Sequence, residues 1–126
     1  MDENKTIKSF ADLNSWKESR KLAVKVYEVT KKYPKEEMFG LTNQSRRCAV
    51  SISSNIAEGF SRQSYKEKVQ FYSISLGSTT ELQSQLLIAK DVGFLDTIDY
   101  NSLINQSIIV HKLLNGLVKS SKNHDS

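Results

Sequence analysis

The sequence predicts an all-α protein folded as an antiparallel up-down-up-down four-helix bundle. Three observations predict it. Apolar residues recur at spacings of three and four along four stretches, and no stretch alternates with a period of two. The 126 residues include one proline and five glycines, so long helices can run uninterrupted. The connections between the stretches are short, which favours antiparallel neighbours. A chain of this length forms one domain around one core. No internal repeat or low-complexity segment divides it. We expect an ordered region of about 10–119 and flexible termini.

The first helix is expected from Asp12, an N-cap candidate, to Tyr33, where Pro34 keeps the preceding residue out of the helical region. Its apolar seam reads Leu13, Trp16, Ala23, Tyr27 and Thr30, widened by Leu22, Val26 and Val29. The second helix is expected from Thr42, a plausible cap, to Phe60. Cys48 or Ala49, Ile52, Ile56 and Phe60 form its seam, and Gly59 is its stop signal. Ala49, Ser51, Ser53, Ser54 and Ala57 are small enough to admit a neighbouring backbone.

Ser64-Tyr65-Lys66-Glu67 is a capping-box pattern that opens the third helix, expected over Tyr65–Asp91. At 1.5 Å per residue it is roughly 40 Å long. Val69, Ser75, Ser78, Leu82, Leu86 and Ala89 read as its inner seam, flanked by Phe71, Ile74, Leu76 and Leu87. Asp96, Thr97 and Asp99 are alternative caps for the fourth helix. That helix carries Leu103, Val110, Leu114 and Leu117 with Ile104, Ile108 and Val118, and is expected to fray near Lys119.

Catalytic and metal chemistry find few residues to stand on. Di-iron bundles need a Glu-x-x-His spacing, but Ile108 and Ser121 stand three residues before the two histidines, His111 and His124. Cys48 and His111 have no nearby ligand partner for zinc. The ordinary reading of His111 is a packed core residue, and of Cys48 a small apolar filler. No glycine-rich phosphate loop and no Ser-His-acid set is present. Glu58 and Glu81 could face each other, although a salt bridge with Arg46 or Arg47 is the commoner use of such residues. The expectation is a protein that binds rather than catalyses and needs no cofactor. A lone cysteine and the absence of a signal-like or membrane-spanning apolar run give a cytoplasmic expectation, with no membrane partner.

Net charge is +4, and the excess lies in the first half of the chain. Residues 1–33 carry +3, 42–62 carry +2, and 63–126 are balanced. Lys17, Arg20, Lys21 and Lys25 form a stripe at helical spacing, Arg46 and Arg47 a second cluster, and Arg62 lies beyond. Arginine offers a fork and lysine a point charge, both suited to phosphate. These seven are the candidate nucleic-acid-binding residues. The plainer alternative is a solvated helix face paired with Glu18 and Glu28.

Residues 39–60 read Phe-Gly-Leu-Thr-Asn-Gln-Ser-Arg-Arg-Cys-Ala-Val-Ser-Ile-Ser-Ser-Asn-Ile-Ala-Glu-Gly-Phe. This segment resembles the four-helix-bundle proteins encoded in 23S rRNA intervening sequences of bacteria. Phe39, Gly40, Leu41, Gln44, Arg46, Arg47, Ser51, Ile52, Ser54, Asn55, Ile56, Ala57, Glu58 and Gly59 match that family's pattern. Phe10, Asp12, Leu13 and Trp16, then Leu76, Gly77, Ser78, Glu81, Leu82, Gln85 and Leu86, then Gly93, Phe94 and Leu95 extend the likeness across about 10–118. Cys48 stands where the family usually has alanine, and Ser53 where it commonly has proline. A related fold is the accessory variability determinant of diversity-generating retroelements, a barrel-like pentamer that binds nucleic acid beside a reverse transcriptase. The resemblance therefore implies a homo-oligomer, a pentamer by analogy, with RNA or DNA and a nucleic-acid enzyme as partners. Five copies would carry about +20. The alternative function is a protein-interaction scaffold, for which Trp16, Tyr27, Tyr65 and Tyr72 are candidate contacts, with core packing the simpler role for Trp16.

Overall fold

A computed structural model describes residues 6–125. The flexibility expected of residues 1–5 and of Ser126 lies outside these described residues. Four long helices make the fold: α1 (Asn14–Thr30), α2 (Leu41–Ser61), α3 (Tyr65–Asp91) and α4 (Thr97–Asp125). Short 3-10 turns at Phe10–Asp12 and Lys35–Glu37 precede α1 and α2. No strand occurs among the described residues. α2 packs on α1 and α3, and α4 closes the square against α3 and α1.

Side-chain bonds between helices show the antiparallel run. Lys32 just beyond α1, then Lys25 and Glu18 within it, meet Asp99, Ser102 and Gln106 of α4 in that order. Ser75 Oγ of α3 donates to the Ile52 carbonyl of α2 at 2.8 Å, and Lys68 donates to the Phe60 carbonyl at 2.7 Å. The core is built from Leu22, Val26, Ile52, Ile56, Leu82, Leu86, Leu103, Val110 and Leu114, all at most 1% exposed. Each large aliphatic side chain there contributes roughly 1.5–3 kcal/mol by leaving water.

The helix ends correct two expected caps and select one of the three alternatives for α4. Asp12 does not start α1. Its carboxylate accepts the Lys8 and Ser9 N–H groups and closes the 3-10 turn, and α1 begins two residues later. Thr42 is buried inside α2, whose first residue Leu41 gives its N–H to Glu37 Oε1 at 3.0 Å. Gly40 leaves room for that carboxylate, since a Cβ there would lie 2.9 Å from the same oxygen. Of the alternatives for α4, Asp96 is the residue that caps, its Oδ1 accepting the Asp99 N–H at 2.8 Å.

α3 has the bounds expected of it. Ser64 Oγ accepts the Glu67 N–H at 3.1 Å. At the far end Gly93 adopts φ +87°, and the Phe94 and Gly93 N–H groups bond the Ala89 and Lys90 carbonyls. That is a Schellman termination, which glycine enters without a steric penalty.

Two seams are rotated from expectation. α1 buries Ser15, Ser19, Leu22, Val26 and Thr30, and leaves Tyr27 42% exposed. Hydroxyls permit this, because Ser19 donates to the Trp16 carbonyl and Thr30 to the Val26 carbonyl. α3 buries Tyr72, Thr79 and Gln85 with Ser75, Leu82, Leu86 and Ala89, while Ile74 and Leu87 face outward. Phe60 of α2 is only half-buried.

The polar stretch after Lys119 is helical through Asp125, against the expected fraying. Ser121 is buried, and the His124 ring stacks on Tyr65 with centroids 4.8 Å apart and planes at 14°. Packing against the start of α3 supplies the order that composition did not suggest.

Candidate nucleic-acid interface

The face between α1 and α4 carries three open hollows in a row. Arg20, Lys21, Val24, Lys25, Glu28 and Gln106 line the central one, of about 560 Å³. Lys25, Glu28, Lys32 and Asp99 line the next toward the C-terminal end of α1. Leu13, Lys112, Leu113 and Leu117 line an apolar hollow at the opposite end. Residues three and four apart on a helix share a face, so Arg20, Lys21 and Lys25 meet here because α1 is continuous. Lys17 lies one turn earlier and is half-buried.

Each cation has a defined environment. Lys21 Nζ lies 3.0 Å from Glu18 Oε2 and its side chain is 61% exposed. Lys25 donates to Ser102 Oγ at 3.3 Å. The Arg20 guanidinium sits 5.4 Å from the Trp16 ring centre, and Trp16 meets Phe10 edge-on at 5.0 Å. Glu18 is anchored from behind, where Gln106 Nε2 donates to its carbonyl and to Oε1, each at 2.9 Å. The Gln106 bond first, and the Lys21 bond next, hold the Glu18 carboxyl below its ordinary pKa. An exposed ion pair of the Lys21 kind is worth about 0–1 kcal/mol, so a phosphate can take the lysine at little cost.

The remaining candidates are dispersed. Arg46 turns inward to α1. Its Nε donates to Thr30 Oγ1 at 2.9 Å and its guanidinium lies 4.8 Å from the Tyr27 ring centre. Arg47, the next residue, is exposed on the other side of α2, toward α3. Arg62 pairs with Glu58 at 2.8 Å and covers the Phe71 ring at 4.6 Å. The structure thus joins Arg20, Lys21 and Lys25 and separates Arg46, Arg47 and Arg62 from them. Sequence reading missed Lys32, Lys112 and Gln106 on this face. Only the α1–α4 pairing places the last two beside α1, and no local signal announces it.

Arg46 therefore yields a prediction. Arg46→Ala is expected to destabilise the fold by about 1–3 kcal/mol, because the buried Thr30 oxygen loses the donor it accepts from and Tyr27 loses its cover. Urea denaturation checks the loss, and nucleic-acid affinity measured on the folded fraction should not change.

Elsewhere the chemistry is sparse. Among the described residues, no three His, Cys, Asp or Glu side chains come together to hold a metal ion. Glu81 lies level with Cys48, and Glu58 lies at the Arg62 end of α2, so the two carboxylates do not form a pair. Cys48 is buried and donates to the Ser78 carbonyl at 3.0 Å. Burial, then the charge of Glu81, pushes its thiol up to about 12. Tyr72 is 2% exposed, a core residue rather than a surface contact, whereas Tyr27 and Tyr65 are exposed. No described helix is long and apolar enough to cross a membrane.

The family model of the 23S rRNA-intervening sequence protein matches residues 11–116. The chain belongs to that family. Among solved structures it is similar to a protein of unknown function from the S23 ribosomal protein family of Bacteroides thetaiotaomicron. That likeness has 25% identity and a TM-score of 0.77 over 83% of this chain and 95% of the other. Among curated proteins none matches the chain. In this member of the 23S rRNA-intervening sequence protein family, the segment richest in family residues, 39–60, forms α2 with the turn before it.

Proposed function

We propose that this chain is a non-catalytic, self-associating accessory protein that holds RNA or DNA along its α1–α4 face. The observation that carries the reading is the gathering of Arg20, Lys21 and Lys25 around one open hollow, on a chain of net charge +4. Binding there is electrostatic and weakly sequence-selective, because lysine and arginine on a helix flank meet phosphates before bases. Self-association multiplies the charge. The likeness to the retroelement accessory determinant supports the same reading, with a pentamer as its expected form and a nucleic-acid enzyme as its expected companion.

A salt series tests it, using labelled single- and double-stranded RNA and DNA with particle mass measured in the same buffers. Affinity should fall steeply with salt, by roughly 0.7–0.9 log units per log unit of salt for each phosphate contact. Lys21→Glu with Lys25→Glu should weaken binding at least about a hundredfold at low salt and leave the mass unchanged. Binding that ignores salt, or survives both reversals, would defeat the proposal.

A scaffold with no nucleic-acid role is the second reading, and surface exposure favours it. Phe39 is 92% exposed, Ile98 81%, and Ile74, Ile88 and Val92 of the α3 side at least half. Large apolar side chains left in water are the surface that a contact with another protein would cover. An oligomer whose mass ignores salt while no nucleic acid binds is the result that selects it.

A further inference from the structure

A second groove runs between α2 and α3, on the side of the bundle opposite the α1–α4 hollows. Asn43, Gln44, Arg47, Ser51, Ser78 and Glu81 line it around a volume of about 400 Å³. Small-molecule sites occupy roughly 300–1,000 Å³, so one planar ring system fits. The walls are already fixed. The Ser51 and Ser78 hydroxyls lie 3.1 Å apart, and Asn55 Nδ2 donates to the Ser51 carbonyl at 2.9 Å. Gln85 Nε2 donates to Glu81 Oε2 at 3.0 Å, which steadies that carboxylate from behind. Arg47 makes no hydrogen bond or ion pair within the described residues, and it lines the groove as an exposed residue.

The two charged groups define the complement. A guanidinium only donates and a carboxylate only accepts. A matching planar ligand therefore presents adjacent acceptors to Arg47 and adjacent donors to Glu81. Guanine has both, with O6 and N7 on one edge and N1–H and the 2-amino group on the next. Adenine sets its N7 beside a donor amine, cytosine has a single amino donor, and uracil places one N–H between two carbonyls. No aromatic ring lines the groove, so discrimination runs through base edges rather than stacking.

We infer that the α2–α3 groove binds an unpaired guanine of single-stranded nucleic acid, Arg47 donating to O6 and N7 and Glu81 accepting from N1–H and the 2-amino group. This rests on the nucleic-acid reading above and adds base preference to it. The α1–α4 cations hold phosphates wherever they lie, and the opposite groove selects the strand.

The test compares a labelled uridine oligonucleotide with the same strand carrying one central guanosine. Wild type, Arg47→Met and Glu81→Gln are measured, with mass and helicity recorded for each. Both positions are exposed, so the variants should fold. For wild type, the guanosine should tighten binding about tenfold. Each variant should bring the ratio between the two strands to near one while binding the uridine strand as salt-sensitively as before. Equal affinity of wild type for both strands overturns the groove assignment and leaves the phosphate face standing. A preference that persists in Glu81→Gln overturns it as well. Failure of both strands to bind at low salt overturns the nucleic-acid reading and this inference with it.

Discussion

Gly59→Ala is expected to cost about 1–3 kcal/mol of stability, although alanine is the better helix former by about 1 kcal/mol. The reason is the α2–α3 contact. A Cβ on Gly59 would lie 2.7 Å from Tyr72 Cε1, 3.0 Å from Tyr72 Cδ1 and 3.0 Å from Phe71 Cβ. Tyr72 is 2% exposed and has nowhere to swing, and Phe71 Cβ is tied to the α3 backbone. The helices must separate, and the layer above them loosens. Gly77→Ala and Gly116→Ala supply the contrast. Neither Cβ meets anything within 4 Å, so each should stabilise by up to about 1 kcal/mol. Urea midpoints for the three variants decide the matter. A Gly59→Ala protein as stable as wild type would mean that the helices are not this close.

That glycine also shows what a one-dimensional reading resolves. From sequence, Gly59 reads as a helix stop, since glycine near the end of an apolar run commonly is one. In the structure α2 continues to Ser61, and Gly59 is a contact surface. The two functions leave the same letter in the chain. The bounds of α3 were legible because both are set locally, by Ser64 at one end and Gly93 at the other. The seam of α1 was not. Ser15 and Ser19 occupy core positions where apolar counting places water-facing residues, and small side chains there let neighbouring helices approach.

The candidate site divides the same way. A stripe along one helix is local information, so Arg20, Lys21 and Lys25 could be read together. Arg46 and Arg47 are adjacent in sequence and diverge in space, because consecutive helical residues point about 100° apart. One reaches Tyr27 and Thr30 across the α1–α2 contact, and the other opens on the α2–α3 groove. Neither destination is visible without knowing which helices are neighbours. The exposure of Phe39 and Ile98 has the same basis, since only the packing shows which apolar residues near helix ends stay in water.

Raising the pH above 9 should progressively destabilise the protein, and three buried groups explain why. The Cys48 thiol rises from an ordinary 9.0 to about 12 through burial, with Glu81 adding to it. The Tyr33 and Tyr72 phenols each rise from 10.0 to about 12, again through burial. Tyr33 is 5% exposed, packs on Phe94 with ring centres 5.8 Å apart, and its hydroxyl has no partner to stabilise a phenolate. All three are acids whose folded pKa exceeds the unfolded one. Below pH 9 both states keep these protons and the contribution is complete. Between about 9 and 12 the unfolded chain releases them while the folded chain retains them, so stability falls with pH. Every tenfold difference in proton affinity between the two states is worth about 1.4 kcal/mol, and together the three amount to several kcal/mol, comparable with the whole stability of a small domain. Lys68, lowered by burial, acts in the opposite sense but alone. Urea midpoints measured from pH 8 upward should therefore hold level to about 9 and then drop, with phenolate absorbance appearing together with loss of helix. Cys48→Ala should delay the onset toward 10, since only the tyrosines then remain to titrate. A midpoint unchanged to pH 11, or phenolate forming while the helices stay intact, would show that these side chains reach solvent in the folded protein.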